Sequence, residues 1–337
     1  MVRLKDIAAH AGVSVMTVSK SLRDETDISI ATKTRIKLLA QQMGYVPDSA
    51  AQTLRTSATR LFGLVISGTT NPIFARMLMA IEERAHELGH DLVLGHSLNL
   101  PEREEACIRR MLSRRVQGLF IAPVYRLGPT APIYQELERR QTPVVLLGHR
   151  APFCSAFANV ETDDLRASQT ATEHLLQLGH RRIAYFCGPR EAPSAQERFE
   201  GYRRALREAG LDVDDRLVFQ AGHTIEEGVT AASQFLNESP PATAIQAVDD
   251  LVALGVAHTL LNQGVRIPQD LSVVGFGNIL AAEYFRVPLT TIRQPKFRLG
   301  VAAMDVMARL LRGEKPATKR LPAELVVRAS TGAVKSA

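Results

Sequence analysis

Ser14, Met16, Thr17, Ser19, Lys20 and Arg23 put hydroxyls and positive charge on one short stretch of chain, with a single long apolar side chain among them. Those groups suit a phosphate backbone and the edges of bases better than proton transfer or nucleophilic attack. Their spacing requires a helix, and the residues around them supply one. Ile7, Ala8 and Ala11 recur at helical spacing and form one apolar face. Gly12-Val13 reads as a tight turn, Ser14 as an N-cap, and Val15 to Arg23 as a second helix with Val18 and Leu22 turned inward. Small Ala8, Gly12 in the turn and apolar Val18 let two helices cross closely, which is the helix-turn-helix that offers its second helix to the DNA major groove. An ordinary helical hairpin is the alternative, and the outward hydroxyls and charges argue against it.

The charge balance agrees. The 337 residues carry a net charge of +6, yet residues 1–60 hold nine Lys or Arg against five Asp or Glu, leaving a nearly neutral body. A basic head on such a body points to a polyanionic partner. Other chemistries lack their signatures. There is no GxGxxG after the first strand, no GxxxxGK[ST], no GxSxG and no metal-ligand spacing among the nine histidines, so neither an enzyme, a cofactor nor a metal site is expected. No apolar run follows the charged N-terminus and none is long enough for a membrane span. Cys107, Cys154 and Cys187 are distant and odd in number, as expected of reduced thiols in a cytoplasmic protein.

A third helix is expected over Ile30 to Met43, stopped by Gly44 and Tyr45-Val46-Pro47. Asp48 to Thr59, DSAAQTLRTSAT, is a linker in which Ser49 could cap a brief helix, too short to be stable without a surface to fold on. From Leu61 strands such as LFGLVIS alternate with helices, the pattern of a doubly wound α/β fold with parallel sheets. The punctuation Leu88-Gly89-His90 recurs at Leu178-Gly179-His180, which suggests two similarly built lobes over a cleft. The expected division is a head over 1–46, a hinge over 47–60 and a core over 61–332. Within the core, a first lobe takes about 61–160 and 290–320 and a second about 161–289 and 321–332.

Ordered along the chain, VRLKDIAAHAGVSVMTVSKSLR, MGYVPDSAAQTLRT, NPIF, SRRVQGLFIAP, GHRRIAYFCGP, ERFEGY, DDLVALGV, VRIPQDLSVVGFGN and LTTIRQP resemble the lactose-repressor/galactose-repressor family of bacterial transcription regulators over residues 3 to 332. The resemblance implies a homodimeric repressor, with a higher oligomer left open, that binds double-stranded operator DNA of near-palindromic sequence. It also implies a hinge helix, a two-lobed core like that of periplasmic sugar-binding proteins, and a small-molecule effector, with a carbohydrate-related compound as first candidate. Val15 and Met16 then stand where bases are read, and can meet thymine methyls but cannot donate a bidentate pair to guanine. Lys20 stands where the family usually has Arg and lacks its planar fork. Ser14, Thr17, Ser19, Thr32 and Tyr45 become phosphate contacts, and Lys5, Ala51 and Arg55 join the DNA-contacting set. Leu54 becomes a minor-groove wedge, an exposed linker leucine being the alternative.

The same resemblance lines the effector cleft with Phe74, Ser194, Arg198, His223 and Asp250. Phe74 could stack on a ring or be plain core, and Arg198 and Asp250 could clamp polar groups or form an inter-helix ion pair. Two positions depart from the family pattern: Gly277 replaces a ligand-binding aspartate after VVGF, and Thr162 stands where an aspartate is common. This argues against an ordinary sugar held by a standard hydroxyl clamp. The helix at Pro72 to Leu88, with Ile73, Met77, Met79 and Ile81, is the expected dimer contact. A sugar-binding transport receptor without a DNA-linked role is the alternative function, opposed by the basic head.

Overall fold

The computed structural model describes residues 2–46 and 59–334. The chain divides into two compact units, residues 1–59 and 60–337. The first is the head, built of α1 (Leu4–Ala11), α2 (Val15–Leu22) and α3 (Ile30–Gln42). Ile7, Ala8, Val18, Ile36 and Ala40 are buried together between the three helices. Gly12 ends α1 in the left-handed region at φ 64°, with open space where a Cβ would stand, so glycine is needed there for backbone conformation alone. Ser14 then caps α2 by accepting from the Thr17 N–H at 3.1 Å, and Ser29 caps α3 through Thr32 at 3.3 Å. The turn and the Ser14 cap fall where the sequence suggests, and the Ser29 cap adds to them. The expected hinge residues Ala51, Leu54 and Arg55 lie outside the described residues.

The second unit contains two six-stranded sheets. The first-lobe sheet is built from β1 (Leu61–Ile66), β2 (Asp91–His96), β3 (Gly118–Ile121), β4 (Val144–Leu147), β5 (Ala158–Thr162) and β11 (Lys319–Leu321). Its order is β11-β5-β4-β3-β1-β2, with all pairings parallel. Helices α4 (Pro72–Glu87) and α12 (Lys296–Leu311) cover the face that carries Phe62, Leu64 and Ile66. Helices α5 (Pro101–Ser113) and α6 (Pro132–Arg139) cover the face that carries Val65. This two-residue alternation, with both faces apolar, is why the strands read as continuous hydrophobic runs. Gly300 lets α12 press on α4: a Cβ there would meet the Met77 carbonyl oxygen at 2.5 Å.

The second-lobe sheet is built from β6 (Ile183–Cys187), β7 (Val218–Gln220), β8 (Ala244–Ala247), β9 (Ser272–Gly277), β10 (Thr290–Arg293) and β12 (Glu324–Val326). The order is β12-β10-β9-β8-β6-β7, with only β12 antiparallel. Helices α7 (Asp164–Gln177) and α8 (Pro193–Glu208) pack on one face, and α9 (Ile225–Glu238) and α10 (Asp250–Asn262) on the other. A short α11 (Leu280–Tyr284) precedes β10. The chain therefore crosses between lobes after β5, after β10 and between β11 and β12.

Two sequence-based expectations need correction. Residues 290–293 were expected in the first lobe, but β10 pairs with β9 and β12 in the second, and the crossover comes at Gln294-Pro295. Strand composition does not reveal the partner sheet; only long-range pairing does. The Pro72 to Leu88 helix was expected to carry more apolar surface than one core face needs, but its surplus is small: Met77 and Ile81 are buried in the first-lobe core, leaving Met79 exposed on α4. Strands β5 and β11 were also missed, because ANVET and KRL lack an apolar run.

Candidate nucleic-acid interface and interlobe cleft

On α2 the inner side is spent on packing and the outer side is open. Val15 is 46% exposed and Met16 63%, and Lys20 stands one turn beyond Met16 on the same side. Ser14 Oγ is used as the cap and also meets Thr17 Oγ1 at 2.9 Å. Lys20 Nζ is ion-paired to Asp27 in the turn before α3, and Arg23 reaches Glu25 at 3.1 Å. Lys37 likewise pairs with Asp24 at 2.6 Å. The head's basic side chains are thus partly balanced by an acidic turn that was not singled out in the sequence. Lys5 is exposed and Ser19 and Thr32 are part-exposed, whereas Tyr45 packs partly against the head core. The exposed set can offer apolar contact and one ammonium to base edges, with hydroxyls and backbone N–H groups available for phosphate.

The second site lies where the carboxyl ends of the two sheets face each other, the general position of ligand crevices in such folds. A cavity of about 280 Å³ opens there. Ser67 follows β1, Ala122 to Tyr125 follow β3, and Gly148-His149 follow β4 on the first lobe. Pro189, Gly222-His223 and Val248-Asp249 follow β6, β7 and β8 on the second. Phe74, Ser194, Arg198 and His223 all line it. Asp250 does not. It is buried behind the wall, accepting from Thr291 Oγ1 at 2.5 Å and from the Ile279 N–H at 2.9 Å. Its neighbour Asp249 lines the cavity instead. Asp249 is the N-cap of α10, with extended backbone and its carboxylate curled over the helix start onto the Val252 N–H at 2.9 Å; Asp250 begins the helix and points back toward β9 and β10.

Arg198 is buried, with its guanidinium 3.8 Å from the Phe276 ring centroid. It donates to the Val248 carbonyl at 2.9 Å and to Asp164 at 3.3 Å, so the inter-helix ion pair exists, but with α7 rather than with Asp250. Among the described residues its Nε has no hydrogen-bond partner, and neither does Oε1 of Gln294, another buried cavity residue. A buried donor and a buried acceptor left open beside one cavity are groups a polar ligand can satisfy. Thr162 lines the cavity and accepts from Gln294 Nε2 at 3.1 Å. Gly277 is not part of the lining. Its backbone sits at φ 137°, and its carbonyl accepts from Lys296 Nζ at 2.5 Å. Burial pushes that ammonium down to about 8, against the pull of Asp250.

Burial also pushes Asp249 up to about 7, its Val252 N–H bond opposing the rise. Asp164 is raised by burial too, with Arg198 and His149 opposing. Sequence reasoning missed His149, Asp164, Gln294 and Asp249, all of them cavity residues. Only Asp249 carried a signal, as an Asp immediately before a helical run.

A periplasmic binding protein-like domain matches residues 172–331, and the model of the bacterial regulatory proteins of the lacI family matches residues 3–48. The HTH-type transcriptional regulator DegA of Bacillus subtilis is 32% identical over 97% of each chain. The HTH-type transcriptional repressor CytR of Escherichia coli K12 is 30% identical over 98% of this chain and 96% of its own. Among solved structures, the lac repressor dimer bound to operator and the anti-inducer ONPF superposes with a TM-score of 0.87 at 27% identity, covering 98% of this chain and 99% of that one. With a capped helix-turn-helix in the first unit, a cleft between the two lobes of the second, and relatives matched along almost its whole length, the chain belongs to the LacI family of transcriptional regulators, with a DNA-binding domain and an effector-binding core.

Proposed function

We propose that the chain acts as a homodimeric repressor, presenting two heads to a near-palindromic operator and answering to a small molecule in the interlobe cleft. The observation that carries the DNA reading is the capped α2 with Val15, Met16 and Lys20 on its open side. Lys5, Ser14, Thr17, Ser19, Thr32 and Tyr45 position the head on phosphate, and in the hinge Ala51, Leu54 and Arg55 engage the minor groove, with Leu54 as the wedge. Two-fold pairing is supported by large apolar side chains open to solvent on both lobes: Met79 (55%) and Leu88 on α4 and just after it, and Leu280 (74%) and Tyr284 (77%) on α11. A DNA-binding role belongs in the cytoplasm; no described helix is long and apolar enough to cross a membrane.

The effector contacts are Phe74, Ser194, Arg198 and His223, with Asp249 in the place first given to Asp250. A carbohydrate-related compound fits the open donor and acceptor of Arg198 and Gln294. With Gly277 outside the lining, its hydroxyls would be held by Asp249 and Gln294. Selecting bound duplexes from a random pool, with and without candidate sugars and nucleosides, tests this directly. A symmetric consensus whose recovery changes with one ligand is the expected outcome. Selection of no sequence, or a consensus with a single half-site, would refute the dimeric operator reading.

A further inference from the structure

The wall of the cleft carries an ion network that joins the lobes. His149, buried at the end of β4 in the first lobe, points its ring between two carboxylates of the second. Nε2 lies 3.1 Å from Glu197 on α8, and Nδ1 lies 3.7 Å from Asp164 at the start of α7. Arg320 on β11 bridges the same junction, 2.7 Å from Glu161 of its own lobe and 2.9 Å from Glu197 of the other. Arg198 holds the far side of Asp164, and the Tyr125 hydroxyl fixes the His149 carbonyl at 2.8 Å.

We propose that His149 is a positioning residue: a latch that holds the two lobes in their present juxtaposition when its ring carries a proton. A neutral imidazole can hydrogen-bond Glu197 but carries no charge; an imidazolium keeps that bond and also attracts Asp164, 3.7 Å from Nδ1. The grip between lobes therefore depends on the proton. His149 also lines the cavity, so a ligand there acts on the side chain that sets lobe separation. That regulatory consequence rests on the cleft being the effector site, whereas the latch itself rests on the interlobe geometry.

Burial alone would lower the His149 ring, but the hydrogen bond to Glu197 and the charges of Asp164 and Glu161 outweigh it and raise it above the ordinary imidazole value. Glu197, which burial would raise, is instead lowered by His149 and Arg320. A raised histidine contributes stability that is fully present below the ordinary imidazole value and is lost as pH rises through the raised one. Burial raises Asp164 as well, with Arg198 and His149 opposing, so each pH is read as the difference between the wild type and a variant without the imidazole.

The test uses the full chain as wild type, His149→Gln and Glu197→Gln, followed by calorimetry at about pH 6.0, 7.0 and 8.5 and by small-angle X-ray scattering at the two extremes. The core transition of the wild type should exceed that of His149→Gln by roughly 2–4 °C at pH 6.0. The gap should close by pH 8.5, with Glu197→Gln showing a gap of the same sign. The wild-type radius of gyration should grow between pH 6.0 and 8.5, and that of His149→Gln should not. Should His149→Gln fail to fold, Glu197→Gln carries the same comparison. A gap independent of pH, or wild-type scattering that superposes at both pH values, overturns the latch. Neither readout uses DNA or ligand, so failure here leaves the regulator reading standing, and failure to find an operator leaves the latch intact.

Discussion

The head and the cleft use side chains in opposite ways. On α2 the side chains proposed to read bases, Val15 and Met16, are exposed and contribute little to packing, while Val18 and Ile36 hold the helices together. In the cleft the groups offered to a ligand are buried, and the same atoms hold the fold. Arg198 caps a carbonyl, pairs with Asp164 and lies against Phe276 while leaving Nε open. Specificity in the head can therefore change at little structural cost, whereas a change in the cleft alters ligand, stability and lobe geometry together.

Substitutions should separate these two modes, and the largest effect is expected in the cleft. Arg198→Ala leaves the buried Asp164 carboxylate without its cation and should cost about 3–5 kcal/mol in the core transition under urea. A loss below about 1 kcal/mol would show that the cleft charges are not structural.

Next comes Asp249→Asn, which keeps the capping oxygen and removes the titration. Because the folded Asp249 holds its proton up to about 7, against an ordinary 3.8, wild-type stability should decline as pH rises between those values and level off above. The variant should lack that decline and gain on the order of 2 kcal/mol over wild type at pH 7.5. Parallel stability curves across this range would contradict a buried, proton-holding Asp249.

In the head, Met16→Ala should weaken binding to the selected operator by about 1–2 kcal/mol and leave random DNA and the melting of the chain nearly untouched. Equal losses on both DNAs would remove Met16 from base reading. Ser14→Ala should behave as a structural change in the same helix, costing about 1 kcal/mol of head stability through the lost cap. An unchanged melting of the head would show that the Ser14 hydroxyl contributes nothing to the fold, whatever its contact with phosphate.

The head was the more legible of the two regions. Its turn, caps and inward residues depend on neighbours within a few positions, so spacing alone identifies Gly12, Ser14 and Val18. The acidic turn that holds Lys20 and Lys37 is not evident from spacing, because Asp27 meets Lys20 only once the chain turns after α2 and Asp24 meets Lys37 only after α3 folds back. In the core, alternating strands and helices could be read directly, but β10 was given to the wrong lobe, since a TTIR segment fits either sheet. In the cleft, Asp249 and Asp250 are adjacent and chemically identical, and one residue of helix phase decides which of them faces the cavity.

The sequence by itself determined the basic reading helix, the doubly wound alternation and the family, because these rest on local periodicity and on ordered motifs. Only the tertiary structure decided that His149 stands between Asp164 and Glu197, that Arg198 pairs with α7, and that Met77 and Ile81 belong to the core. Each of these joins residues far apart in the chain, and burial of charge depends on which surfaces close over it. No pattern along one strand or helix encodes that closure.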